Sequence, residues 1–155
     1  MTPPLPCRLF PWLLPLFLTL LATSAATAAN PPACQVELRV ITATKAQPKE
    51  ADPRLADVAK RIESLFGYHH FTLVSSARQE AAPGADMTFS LPTAKKLTLK
   101  VENAGEPRTL LVSLVLEGLL TTQYRVENGG VLLVGGMKAP GEGVYVLAIR
   151  AALGD

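Results

Sequence analysis

The sequence predicts an α+β fold: a mostly antiparallel β-sheet or small β-sandwich, with one amphipathic helix packed on a face. Three observations predict it. Between Leu55 and Phe66, apolar side chains recur every three or four residues, the period of a helix buried along one stripe. After residue 67 the apolar period falls to two, or the chain becomes apolar on both faces, with turn residues at short intervals. Runs of strand beside a single helix then argue for segregated α and β elements.

The first 29 residues read as a cleaved signal peptide. A leader carrying Arg8 is followed by a thirteen-residue apolar run, Leu9 to Leu21, and by small residues ending at Ala29. Ala26-Thr27-Ala28 and Thr27-Ala28-Ala29 both fit a small-x-small cleavage site. The run is short for a membrane span of about 20 residues, and Pro11 and Pro15 interrupt it. No stable membrane span is therefore expected after cleavage. The expected location is exported, periplasmic or extracellular.

Removing 29 of 155 residues leaves 126, one ordinary domain spanning 30–155. A chain of that size buries roughly two thirds of its unfolded surface and needs no metal or disulfide to fold. Of 15 basic residues Arg8 leaves with the leader, so 14 face 13 acidic ones. That balance gives no electrostatic ground for a nucleic-acid partner. Cys7 and Trp12 leave too. Cys34 then stands alone, read as a small apolar residue near a loose N-terminus, with an intermolecular disulfide as the alternative.

Val36 to Val40 alternates apolar and charged residues and reads as a half-buried strand. Residues 44–51 hold Pro48 and read as a loop. The helix is expected near 53–66, with Asp52 as N-cap, Pro53 at its first position and Gly67 as its left-handed stop. Tyr68 to Ser75 is aromatic and β-branched, a strand; residues 78–85 read as a loop around Pro83-Gly84. Met87, Phe89 and Leu91, then Leu97, Leu99 and Val101, alternate with polar residues and predict a hairpin with one wet face. Leu110 to Leu116 is apolar on both faces apart from Ser113, as is Val144 to Ala151. Both suit strands covered on two sides, the floor on which the helix is expected to lie. Between them, residues 119–126 and 131–134 flank Asn128-Gly129, the signal of a tight hairpin, and residues 135–143 read as a glycine-rich loop.

Candidate chemistry is sparse. His69 and His70 are adjacent, and neighbours on a strand point to opposite faces, so a shared metal ion is disfavoured. No further ligand stands at the spacing structural zinc requires. Ser75, His70 and Asp86 are the types of a hydrolase triad, without the Gly-x-Ser-x-Gly elbow. Gly135-Gly136 and Gly141-Glu142-Gly143 precede a strand, whereas a phosphate cradle leads into a helix. Glu37, Asp86, Glu102, Glu117 and Glu127 fall on outer faces or turns. Lys95, Lys96 and Lys100 have no aromatic interleaved to bind single strands. No catalytic, cofactor-binding or metal residue is assigned, and no cofactor is expected.

Residues 121–136, Thr-Thr-Gln-Tyr-Arg-Val-Glu-Asn-Gly-Gly-Val-Leu-Leu-Val-Gly-Gly, resemble a hairpin of outer-membrane secretins. The chain is too short to build a secretin barrel, so the resemblance implies at most a small partner of such a system. Asp52-Pro-Arg-Leu, the 67–73 segment and the Asn128-Gly129 turn resemble small uncharacterised exported proteins of bacteria, which implies no activity. The functional expectation is a non-enzymatic envelope protein: a small binding or assembly module, accessory to a secretion or envelope complex. Its contacts are expected at a strand edge or at the 135–143 loop. The alternatives are a small hydrolase with a site near His69 and His70, and a carrier with an apolar pocket between helix and sheet.

Overall fold

The structure is a computed structural model, and it describes residues 32–154. The expected signal peptide lies outside the described residues. Nine strands form two sheets. One has the order β2-β3-β1-β9-β8 and the other β4-β5-β6-β7. The first comprises β1 (Cys34–Thr44), β2 (Glu50–Ala51), β3 (His70–Ala81), β8 (Val131–Lys138) and β9 (Val144–Leu153). The second comprises β4 (Asp86–Ser90), β5 (Lys96–Asn103), β6 (Thr109–Leu116) and β7 (Leu120–Glu127). All pairings are antiparallel except the two-residue β2–β3 bridge.

Period-two alternation sorts the central strands between two cores. Val36, Leu38 and Val40 of β1, with Leu147 and Ile149 of β9, face the second sheet and meet Leu97, Leu99, Val112 and Leu114. Ile41 and Ala43, with Val146 and Ala148, face the other way, under the helix. The result is three layers: helix, five-stranded sheet, four-stranded sheet. It matches the expected sandwich with one helix on a face.

The helical segment falls where expected but in two pieces. Asp52 accepts a hydrogen bond from the Arg54 amide and caps a 3-10 turn over Pro53–Leu55. The α-helix proper, α1, covers Ala59–Phe66 and stops at Gly67, whose φ of 69° is the left-handed C-cap. Leu55, Val58 and Ile62 are each 2 % exposed or less. Full burial of a side chain such as Ile62 contributes about 1.5–3 kcal/mol.

Several boundaries differ from the sequence reading. β3 runs on to Ala81 through Arg78, Gln79 and Glu80, which had read as loop. A strand near a sheet edge carries polar residues freely, because its outer face meets water. β6 is covered on one face only. Leu110, Val112, Leu114 and Leu116 are buried, whereas Val115 is exposed, since the helix lies on β1 and β9. Cys34 is not at a loose end: it pairs with Ala81 and Leu153 inside β1 and is fully buried. Burial pushes its thiol pKa up, away from the reactive thiolate.

The largest correction concerns residues 119–134. β7 and β8 do not pair; they lie in different sheets. The Asn128-Gly129 turn is an arch that carries the chain from one sheet to the other. Asn128 holds it there: its amide group donates to the Leu153 carbonyl at 3.2 Å and accepts from the Leu153 amide at 2.8 Å. The Gly129 amide donates to the Ala151 carbonyl at 2.9 Å.

Candidate functional site

The residues of a paper triad are not brought together. His70 opens β3, and its Nδ1 lies 3.3 Å from the Pro48 carbonyl. Ser75 follows five residues along the same strand, about 16 Å away at strand rise. Asp86 opens β4 in the other sheet, where it lies 3.9 Å from Lys100 Nζ. Gln79, near the far end of β3, donates to the Thr88 carbonyl, which places that part of β4 some 30 Å along the strand from His70. Among the described residues no group of three or more His, Cys, Asp or Glu is placed to hold a metal ion. The helix–sheet interface, where the carrier alternative places its pocket, is packed with Leu55, Val58 and Ile62.

The two expected contact features, a strand edge and the 135–143 loop, converge on β8. The loop is shorter than expected, because β8 continues through Gly135 and Gly136 to Lys138. Two glycines permit this for separate reasons. Phe66 of α1 lies over Gly135, where an added Cβ would sit 2.7 Å from its ring. Gly136 takes φ +111° at a bulge between Gly135 and Met137.

Hydrogen bonding fixes which backbone groups of β8 face outward. The Ala151 carbonyl and both backbone groups of Leu153 point toward the arch side, while the Gly154 amide bonds the Ala33 carbonyl on the β1 side. Odd-numbered β9 residues therefore face β8, and Leu132 and Val134 bond to Ile149 and Leu147. Val131, Leu133 and Gly135 turn their N–H and C=O groups away from the sheet. Arg61 Nη1 confirms that direction by donating to the Val131 carbonyl at 2.9 Å.

Side chains frame this edge on both sides. Six large apolar residues are exposed among the described residues, and four of them belong to the frame. Leu65 is 60 % exposed and lies one turn beyond Arg61 on α1. Leu119, Leu120 and Tyr124 stand on the opposite side, at the mouth between β7 and β8. There a cavity of about 240 Å³ opens among Leu116, Leu119, Leu120, Val134 and the Gly135–Met137 bulge. No charged residue occurs in β8 before Lys138.

A charged cluster anchors the helical layer. Arg39 is nearly buried on the helix side of β1, and Asp57 reaches down to it from the turn before α1. Nη1 and Nη2 of Arg39 donate to the two Asp57 carboxylate oxygens at 2.9 and 2.6 Å, and Nη1 also donates to the Arg54 carbonyl. Arg150 Nη2 adds a contact to Asp57 at 3.3 Å. Arg39 Nε faces Glu37 at 3.8 Å, beyond hydrogen-bond range, and is left without a partner. The hydrogen bonds from Arg39 are the main cause that holds the Asp57 carboxyl below its ordinary range. Lys49 does the same for Glu63 on α1.

Comparison with protein-family models, curated proteins and solved structures finds no match for the chain. Among the described residues no helix is long and apolar enough to cross a membrane.

The sequence reading missed Leu65, Leu119, Leu120 and Tyr124, because exposure of an apolar residue follows from what fails to cover it. One signal was readable: the run from Val131 to Met137 lacks the charge or proline that usually blunts an edge strand.

Proposed function

We propose that this chain is an exported, non-enzymatic envelope protein. It acts as a binding or assembly module that captures an extended segment of a partner along β8. The observation that carries the reading is the uncharged backbone edge of β8, unpaired at Leu133 and Gly135 and held only by Arg61 at the Val131 carbonyl, framed by exposed Leu65, Leu119, Leu120 and Tyr124. Strand addition of this kind takes affinity from main-chain hydrogen bonds and specificity from side-chain pockets beside the edge. Export rests on the three-part leader at residues 1–29.

The test is a crosslinked pull-down from the producing cell, comparing the tagged chain with a Leu119→Asp, Leu120→Asp double variant. Both side chains are exposed, so the variant is expected to fold with a stability change within about 0.5 kcal/mol per site. The expected result is one envelope protein recovered with the parent chain and lost with the variant. Recovery unaffected by the variant, or of the chain alone, overturns the reading.

A further inference from the structure

We infer that the segment captured at β8 comes from a different protein and is an extended strand with an apolar centre and an acidic residue at each end. The inference rests on the proposed strand addition at this edge and specifies its partner.

The first observation is where charge lies. Arg61 sits over Val131 at one end of the edge. Lys138 ends β8 at the other, beyond the bulge, on the same helix side of the sheet as Gly135 and Leu133. About 20 Å separates these ends at strand rise. Lys138 has no ion-pair partner among the described residues, and Arg61 has only the Val131 carbonyl. Arg150, opposite Val131, is held by Asp57.

The two acidic groups of the helical layer beside the edge are already engaged. Asp57 is taken by Arg39 and Arg150. Glu63 pairs with Lys49. Glu142, in the turn after β8, lies with Thr44, Lys45 and Tyr68. On the mouth side Lys95 donates to the backbone carbonyl of Glu117, which adds a further cation beside that carboxylate. The edge is thus an apolar ladder with an uncompensated cation at each end.

That pattern disfavours a second copy of this chain. Antiparallel self-pairing along β8 would bring Arg61 of one copy toward Lys138 of the other at both ends, and like charges set opposite one another repel. A heterologous strand with carboxylates six residues apart meets both cations on one face. Its intervening residues on the other face point to Leu119, Leu120 and Tyr124. A single large side chain among them fits the 240 Å³ cavity beside Gly135.

The probe is a labelled, end-capped peptide, Asp-Val-Thr-Phe-Thr-Val-Asp, followed by fluorescence anisotropy against the mature chain. Its control is Lys-Val-Thr-Phe-Thr-Val-Lys. The aspartate peptide is expected to bind about tenfold tighter, from two exposed ion pairs, with a gap that narrows in high salt. An Arg61→Glu, Lys138→Glu variant is expected to reverse the order. Equal affinities overturn the inference, as does an unchanged order in the charge-reversed variant or no binding of either peptide at about 1 mM. A dimer in light scattering that the Leu119→Asp, Leu120→Asp variant dissociates overturns it in favour of a second copy. If both peptides bind equally yet that variant abolishes partner capture, the charge rule fails and strand capture at β8 survives. If the variant changes nothing in capture, the underlying reading fails.

Discussion

The β3 edge of the five-stranded sheet is guarded along its length. β2 covers it at His70 and Phe71, and a bulge at Val74 breaks its regularity where Val40 and Ile41 pair across it. Arg78, Gln79 and Glu80 stud its far half, and Gln79 ties it to β4. Covering, bulging and charging are the usual ways a protein keeps an edge from pairing. The β8 edge of the same sheet has no covering strand; Arg61 lies over one carbonyl, a bulge interrupts it at Gly135–Met137, and its one charged residue, Lys138, stands at the far end, so Val131 to Val134 runs regular and uncharged beside exposed leucines. Edge protection is therefore thinner on the β8 side, and that asymmetry is what supports β8 as the edge of the proposed strand capture.

The largest expected effect comes from removing what holds α1 beside β8. Asp57→Ala leaves Arg39, with a 9 % exposed side chain, without its carboxylate. Breaking a fully buried pair costs roughly 3–5 kcal/mol. Asp57 is 40 % exposed, so a loss of about 2 kcal/mol in urea unfolding is expected. The pH dependence follows from the lowered folded pKa. The contribution of Asp57 is fully present above the unfolded carboxyl value of about 3.9 and is lost as pH falls through the lower folded value. Asp57→Asn is expected to flatten that part of the acid limb. A limb unchanged from the parent would remove Asp57 as the anchor. Loosening α1 also withdraws Leu65 from the β8 edge, so peptide binding there weakens in the same variant.

What was legible in the sequence divides along the range of the interactions. The helical segment and its left-handed stop were readable because Gly67 acts within a turn of itself, whereas Asp52 and Pro53, read as the start of that helix, begin a 3-10 turn and α1 starts after Val58 without a side-chain cap. The β4–β5 hairpin was readable because Met87 and Phe89 alternate in step with Leu99 and Leu97, which pair with them. The arch was not. Asn128-Gly129 specifies a sharp turn, but which strand receives the chain afterward depends on Asn128 reaching Leu153, 25 residues away. The Arg39–Asp57 pair spans 18 residues and shows no periodicity that would announce it. The β8 edge lay in the segment that resembles a secretin hairpin, and reading a hairpin there gave that edge a partner strand that it lacks.

A smaller effect is expected on converting the guarded edge into an unguarded one. Arg78→Thr with Glu80→Thr removes the charges of β3 at exposed positions. Stability is expected to move by about 0.5 kcal/mol or less per site. Self-association is expected to rise, as a concentration-dependent increase in mass by light scattering, because Thr suits a pairing strand and repels nothing. Loss of the Arg78–Glu37 contact at 3.3 Å accounts for little, since that pair is largely exposed. If the double variant stays as monodisperse as the parent, charge is not what guards β3, and the Val74 bulge becomes the cause to test by deletion.

The smallest perturbation, with no mutation at all, distinguishes the two edges by hydrogen exchange. Along β8 the Leu132 and Val134 amides bond to β9, whereas those of Leu133 and Gly135 face outward. The outward pair is expected to exchange faster by on the order of a hundredfold, because no opening of the sheet is required. Adding the aspartate-flanked peptide is expected to slow Leu133 and Gly135 and to leave Leu132 and Val134 where they were. The β3 amides, on the guarded edge, are expected to show no change with peptide. Slowing that appears on β3 instead would place the contact on the guarded edge and reverse the comparison. Uniform slowing along both strands would indicate general stabilisation of the fold, with no strand added to either edge.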